Sequence, residues 1–376
     1  MRILIASDSF KDALPAEAVC QAIEKGLITA NDKFEVTAMP LADGGEGTAA
    51  ILAHHTGGQM VEDRASNPRF EPIMAQYGMS GDGKTAFIEM ASASGLQLLK
   101  PKERNPLKTS TMGTGALIIA AMGRGAEKII LGLGGSATND AGMGMAAALG
   151  YRFLDEQGQE LEPVGENLSK VHRIDDRMLF LDPRQIEIIT LCDVDNPLFG
   201  EQGAARVFAP QKGADPAAVE LLDAGLRHIA PQMEKLAGKP IAEVPGSGAA
   251  GGMGAGCLTY LGASLKPGIE TIMEVAGFEA ALDQADLVIT GEGRLDEQTL
   301  RGKLIKGITQ RARQKAVPVI ALCGALQASP EAVRSIGLRA AFSIQNRPVD
   351  LATALEETAS RLEETAFHVG QLLLAE

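Results

Sequence analysis

The 376-residue chain has no Cys-x-x-Cys pair, no block of lysine and arginine, no apolar run of membrane-spanning length and no fixed-period repeat. Each absence removes a class of protein. Cys20, Cys192, Cys257 and Cys323 are scattered, with no histidines spaced beside them to complete a zinc set, and this usage fits a reducing cytosol. With 35 basic against 48 acidic residues the formal charge is −13. Nucleic acid and anionic membranes are therefore not expected as partners. An anionic ligand has to be held by local amides, single cations or a bound metal. The opening Met1-Arg2-Ile3-Leu4-Ile5-Ala6-Ser7-Asp8 meets an acid too soon for a signal peptide. No later run approaches the roughly twenty apolar residues of a membrane span. A soluble, cytoplasmic protein is expected, and the length favours two domains.

What is present is a series of strands that end in polar loops. Ile3–Ala6 reads as a buried strand, and Ser7-Asp8-Ser9-Phe10-Lys11-Asp12 as the loop before a helix opened by Pro15. Open α/β folds place ligands at such ends. The alternative for Asp8 and Lys11 is a capping acid and a solvated lysine. Phe34–Pro40 repeats the pattern, followed by Leu41-Ala42-Asp43-Gly44-Gly45-Glu46-Gly47-Thr48 and a helix. Two βα loops carrying carboxylates favour a site more than either alone.

From Gln59 to Leu98 the rhythm shifts to short strands and turns, as for an inserted domain. Gly78-Met79-Ser80-Gly81-Asp82-Gly83-Lys84-Thr85 satisfies the P-loop spacing, and Ile188–Asp193 resembles the strand that ends in its metal-binding aspartate. A P-loop needs a helix at its Lys-Thr, however, and Asp82-Gly83 between two extended runs is a hairpin signal. The hairpin is the expectation.

The densest polar stretch is Gly132-Leu133-Gly134-Gly135-Ser136-Ala137-Thr138-Asn139-Asp140-Ala141-Gly142, between the strand Lys128–Leu131 and a small-residue helix. Glycines admit a ligand close to the backbone, and the hydroxyls sit where a helix presents unpaired N–H groups. That combination attracts phosphate. Thr109-Ser110-Thr111-Met112-Gly113-Thr114-Gly115 precedes it by one helix and one strand, a candidate opposite wall or simply a hydroxyl-rich N-cap. Gly132-x-Gly134-x-x-Ala137 also fits the dinucleotide fingerprint, with Asp155 as ribose acid or as a plain turn residue.

Farther on, Asp193 and Asp195 follow an apolar strand. They point to opposite sides of extended chain, and Asp193 is the better candidate. Leu287–Thr290 restores the βα rhythm and ends in Gly291-Glu292-Gly293-Arg294-Leu295-Asp296. There Glu292 and Asp296 could hold a metal, while Arg294 and Lys303 could hold an anion.

Taken together, Asp8–Lys11, Ala42–Thr48, Gly134–Asp140, Cys192–Leu198, Pro210-Gln211-Lys212-Gly213 and Ile289–Arg294 resemble the bacterial type-1 glycerate kinases, in order and across nearly the whole chain. The resemblance implies ATP-dependent phosphorylation of D-glycerate, usually to 2-phosphoglycerate, with magnesium, in glyoxylate or aldarate catabolism. It also implies an α/β protein of two domains with the site in the cleft between them. The discontinuous Rossmann- or flavodoxin-like domain is drawn at 1–60 plus 265–376, and the inserted mixed α/β domain at 61–264. The chain departs from the family at Ser7, where proline is general, and at Ala141, where a second glycine is general.

On chemical grounds Asp8, Lys11 and Asp193 are assigned to catalysis, and Ser9, Asp43, Gly44, Gly45, Glu46 and Arg294 to substrate. ATP is assigned to Thr111, Gly113, Thr114, Gly134, Gly135, Ser136, Ala137, Thr138, Asn139 and Asp140, and Mg2+ to Glu292 and Asp296. Competing readings are a nicotinamide-dependent dehydrogenase and a non-catalytic nucleotide or metabolite sensor.

Overall fold

Ile3-Leu4-Ile5 is an apolar run without alternation, and it forms the buried heart of strand β1 (Arg2–Ile5). A strand that is apolar on both faces belongs inside a parallel sheet covered by helices. β1 pairs in parallel with β2 (Glu35–Ala38) on one side and β11 (Leu287–Leu295) on the other. The row continues through β12 (Val319–Leu326) to β13 (Ala340–Ser343), in the order β13-β12-β11-β1-β2. Connections leave β1 toward one edge and β11 toward the other, so the switch point lies between these two strands.

The computed structural model describes residues 1–42, 44–180, 182–296 and 303–374. They fall into two units, Met1–Asp43 with Ile269–Glu376, and Gly44–Gly268. The five-stranded parallel sheet belongs to the first. The second holds a six-stranded mixed sheet built from β3 (Gln59–Ser66), β4 (Pro72–Met79), β5 (Thr85–Glu89), β6 (Lys128–Gly132), β9 (Glu187–Leu191) and β10 (Ser264–Lys266). Its order is β10-β9-β6-β5-β4-β3, parallel from β5 to β10 and antiparallel through β3 and β4. A short ribbon of β7 (Arg152–Leu154) and β8 (Arg173–Asp175) lies apart. Each unit has its own apolar core, around Phe10, Ile23, Leu27 and Leu322 in the first and Tyr77, Phe153, Leu226 and Tyr260 in the second. Among the described residues no helix is long and apolar enough to cross a membrane.

Three local outcomes bear on function. Gly78–Thr85 is the β4–β5 hairpin, with Gly83 at φ 72 and Asp82 accepting the Ser80 hydroxyl and the Lys84 N–H. It is not a P-loop. Residues 44–60, read from sequence as part of the first domain, belong to the second unit, where the carboxylate of Glu89 on β5 accepts the Ala49 N–H of helix Thr48–His55. The segment Gly291–Leu295, expected as a loop, is strand instead. β11 and β12 extend each other, pairing Glu292 with Cys323 and Arg294 with Ala325, so each strand offers partners to the backbone of the other.

In the first unit, helices Ala16–Ala30 and Thr358–Leu373 meet at Gly26, where an added Cβ would stand 2.2 Å from the Glu363 carbonyl oxygen and 2.8 Å from the Ala366 Cβ. Alanine normally favours a helix over glycine by about 1 kcal/mol, but here the methyl meets rigid backbone. Gly26→Ala is expected to destabilise by about 1–3 kcal/mol. Thermal unfolding checks this, and an unchanged or higher Tm contradicts it.

Candidate active site

The carboxyl ends of β5, β6 and β9 bring together Glu89, Gly132 and the segment that starts at Cys192. Asp193, two residues beyond β9, accepts the Gly268 N–H through Oδ1 at 3.0 Å. Its Oδ2 lies 3.4 Å from where a Cβ on Gly44 would be, and Gly44 has φ 98. The positive φ is what calls for glycine there. Gly45 is the neighbour of Gly134, since a Cβ at Gly134 would be 3.5 Å from the Gly45 Cα. The Gly44–Gly45 turn therefore faces the Gly134–Gly135 turn, with Asp193 beside it.

Glu89 was absent from the sequence-based candidates. It closes a buried strand, as Asp193 follows one, but the sequence directly after it, Met90-Ala91-Ser92-Ala93, carries no glycine turn to mark a site. Burial pushes its carboxyl up, the N–H groups of Ala49 and Gly47 pull it back, and the charge of Glu46 raises it further. The carboxylate thus sits at the start of helix Thr48–His55, where the positive end of the dipole favours it.

The loop Gly134–Asp140 divides in two. Gly134 and Gly135 are exposed, Gly135 at φ 73, while Ser136, Ala137, Thr138, Asn139 and Asp140 are buried. Asp140 has no exposure, and its carboxylate accepts four donors: the N–H and hydroxyl of Thr111 and the N–H groups of Gly142 and Gly144. Burial pushes this carboxyl up and the donors pull against it. Thr109 Oγ1 donates to the Ala137 carbonyl, and Thr114 shares a hydrogen with Ser94. The Thr109–Gly115 turn is thus bonded directly to the glycine loop, and their hydroxyls face inward. The exposed Gly134–Gly135 backbone remains for a ligand. Thr138 Oγ1 and both polar atoms of Asn139 are buried without hydrogen-bond partners. Such groups cost about 1–3 kcal/mol each when left unsatisfied, and each calls for a reason such as strain, a catalytic role or a bound water or ion.

Lys212, known from sequence only as part of Pro210–Gly213, is the second omission. It is 2% exposed, and its ammonium donates to Ser136 Oγ at 2.6 Å and to the Thr138 carbonyl at 2.7 Å. Burial pulls its pKa down to about 7 against the opposing charge of Asp140. Ala141, the departure from family glycine, takes φ 53 directly after this network.

In the first unit, the ends of β1 and β11 hold the other candidates. Asp8 donates its N–H to the Gly291 carbonyl, and its Oδ1 accepts the Ser9 N–H at 2.6 Å. A Cβ at Gly293 would be 3.4 Å from the Lys11 nitrogen of the backbone. Arg294 pairs with Asp296 at 2.9 Å, so one expected substrate ligand is joined to one expected metal ligand. Among the described residues no group of three His, Cys, Asp or Glu side chains is arranged to hold a metal. Asp43 lies outside the described residues. Asp155 is a turn residue that accepts the N–H groups of Gln157 and Gln159, a placement with no ribose-binding character.

Lys212 yields a signed pH dependence. Its folded pKa of about 7 lies below the ordinary 10.5, so between these values the unfolded chain holds more protons and stability rises with pH. Below about 7 both states carry the proton and the burial penalty is present in full. Lys212→Met removes this titration. Urea unfolding at several pH values is expected to show the stability of the wild type relative to this variant increasing from about pH 7 toward 10.5. A difference independent of pH contradicts it.

A profile of the glycerate kinase family matches residues 3–374. The chain is 46% identical over 370 residues to a glycerate kinase of Bacillus cereus, covering 98% of this chain and 97% of that one. It is 44% identical over 346 residues to the glycerate 2-kinase of Escherichia coli, covering 92% and 90%. A crystal structure of a Salmonella typhimurium LT2 protein assigned as glycerate kinase 2 superposes with a TM-score of 0.91 at 42% identity, over 100% of this chain and 98% of that one. With its two sheets and its glycine loop in place, the chain belongs to the glycerate kinase family, a family of phosphotransferases.

Proposed function

We propose that the chain transfers the terminal phosphoryl group of ATP to the 2-hydroxyl of D-glycerate, giving 2-phospho-D-glycerate and ADP. The observation that carries this reading is the pairing of exposed Gly134–Gly135 backbone with the Gly44–Gly45 turn beside Asp193. Glycine backbone without Cβ atoms accommodates an anion at close range, and a carboxylate next to it can accept the proton of an alcohol. The glycerate 2-kinase of Escherichia coli among the relatives favours the 2-position.

Phosphoryl transfer is accelerated mainly by alignment and charge neutralisation. Asp193 is proposed as the base, its orientation fixed by the Gly268 N–H. Lys11 is assigned to charge on the transferring group or on the glycerate carboxylate, with Ser9 and Arg294 as further substrate ligands and Asp8 as the residue that orients the hydroxyl. Gly134 and Gly135 are assigned to phosphate. Magnesium is usually held by one or two carboxylates together with the phosphates rather than by a protein cage. The absence of a three-ligand cluster among the described residues suits such a nucleotide-borne ion, with Glu292 or Asp296 as the protein ligand. When bound, the ion neutralises phosphate charge.

A coupled ADP-release assay with D-glycerate, L-glycerate and no acceptor tests the activity, and phosphorus NMR of the product identifies the hydroxyl. Release that requires D-glycerate, with a 2-phosphate signal, is expected; release without acceptor, or none with D-glycerate, overturns the reading. Asp193→Asn keeps an oxygen for the Gly268 N–H and is expected to lower turnover about 10²–10⁴-fold with the fold intact. Near-normal turnover removes Asp193 from the mechanism.

A further inference from the structure

The Gly44–Gly268 unit contains a cavity of about 610 Å³ whose walls include neither Asp193 nor Glu89. It is within the range of about 300–1,000 Å³ common to small-molecule sites. A three-carbon acid would leave most of it unfilled. Its lining has three distinct chemistries, and none of the candidate assignments above uses them.

The first is cationic. Lys102 and Lys108 are exposed at the rim and enter none of the ion pairs found among the described residues, whereas Arg69 is 3.7 Å from Glu103. The second is aromatic. Phe70 lines the cavity with its backbone in the left-handed region at φ 64, a conformation that favours glycine. Buried Asn67 holds it there: its Oδ1 accepts the N–H groups of Arg69 and Glu71, and its Nδ2 donates to the Glu71 carboxylate. The chain thus keeps a large flat ring on a backbone that resists it. The third is acidic, from Glu162 and Glu166 on another wall. Thr109 also lines the cavity, and the same side chain donates to the Ala137 carbonyl, so one wall is bonded to the glycine loop.

We propose that this cavity takes the nucleoside end of the phosphoryl donor. The base stacks on Phe70, the ribose hydroxyls donate to Glu162 and Glu166, and Lys102 and Lys108 neutralise phosphate. A flat ring, hydroxyl acceptors and unpaired cations around one space of this size are complementary to a nucleotide and not to an isolated anion. The proposal rests on the kinase reading, because that reading requires a nucleotide.

Calorimetric titration with ADP, adenosine and inorganic phosphate, without glycerate, measures binding independently of turnover. The probes are wild type, Phe70→Gly and the double variant Lys102→Gln with Lys108→Gln. Phe70→Gly relieves the positive φ and so preserves or raises the Tm. It is expected to weaken ADP about tenfold or more through lost stacking, while the double variant weakens ADP more than adenosine. Wild type that fails to bind ADP, variants that bind it as wild type does, or phosphate that binds as tightly as ADP each overturn the cavity assignment. If D-glycerate is phosphorylated normally in that case, the kinase reading stands without it. Phe70-dependent ADP binding with no turnover of D-glycerate overturns the kinase reading and leaves the cavity assignment in place.

Discussion

Asp140 and Lys212 are ionisable groups taken almost wholly out of water, one held by four donors and the other bonded to two acceptors on the same loop. Leaving a buried polar group without its partner costs about 1–3 kcal/mol, and more where a charge is involved, so these bonds hold the loop in one arrangement. That fixation presents Gly134 and Gly135 outward and carries the buried hydroxyls inward. An exposed glycine pair needs such support to keep one shape, because two glycines alone would be free to take many conformations.

The same economy of means recurs at the Gly44–Gly45 turn. Its position follows from Glu89, which accepts the N–H groups that open helix Thr48–His55, and from Asp193, whose partner is the Gly268 N–H. Two carboxylates at the ends of parallel strands thereby hold backbone in place. For Asp193 the Gly268 N–H fixes the orientation of the carboxylate through one oxygen. In the first unit the Asp8 loop is similarly tied, by its own N–H and by Ser7 Oγ, to the Gly291 carbonyl.

Much of this was legible in the sequence. The unalternating run at Ile3–Ile5 and the strand-loop-helix rhythm gave the parallel sheet, and Asp82-Gly83 identified a hairpin where spacing alone suggested a P-loop. The extension of β11 past Gly291 was not legible, since it depends on β12 some thirty residues later extending beside it. Nor was the inward turn of Ser136, Thr138 and Asp140. Hydroxyls and an acid after glycines look the same whether they face a ligand or a buried lysine, and Lys212 is 76 residues from Ser136. Glu89 was hidden for a related reason: its helix partner precedes it by 40 residues.

The segment Ala249–Gly256, which leaves helical geometry at Ala250, Gly251 and Gly252, adds a consequence for how the protein can change. Gly251 lies so close to the loop that a Cβ would stand 2.1 Å from the Thr138 carbonyl oxygen, and one on Gly256 would be 2.7 Å from that of Ala141. Main chain rests on main chain there, with no side-chain layer to absorb a shift. Side-chain gain is therefore closed along this face. Exposed side chains such as Glu46 in the same unit are under no such constraint, so sequence change is absorbed there rather than in the packed backbone.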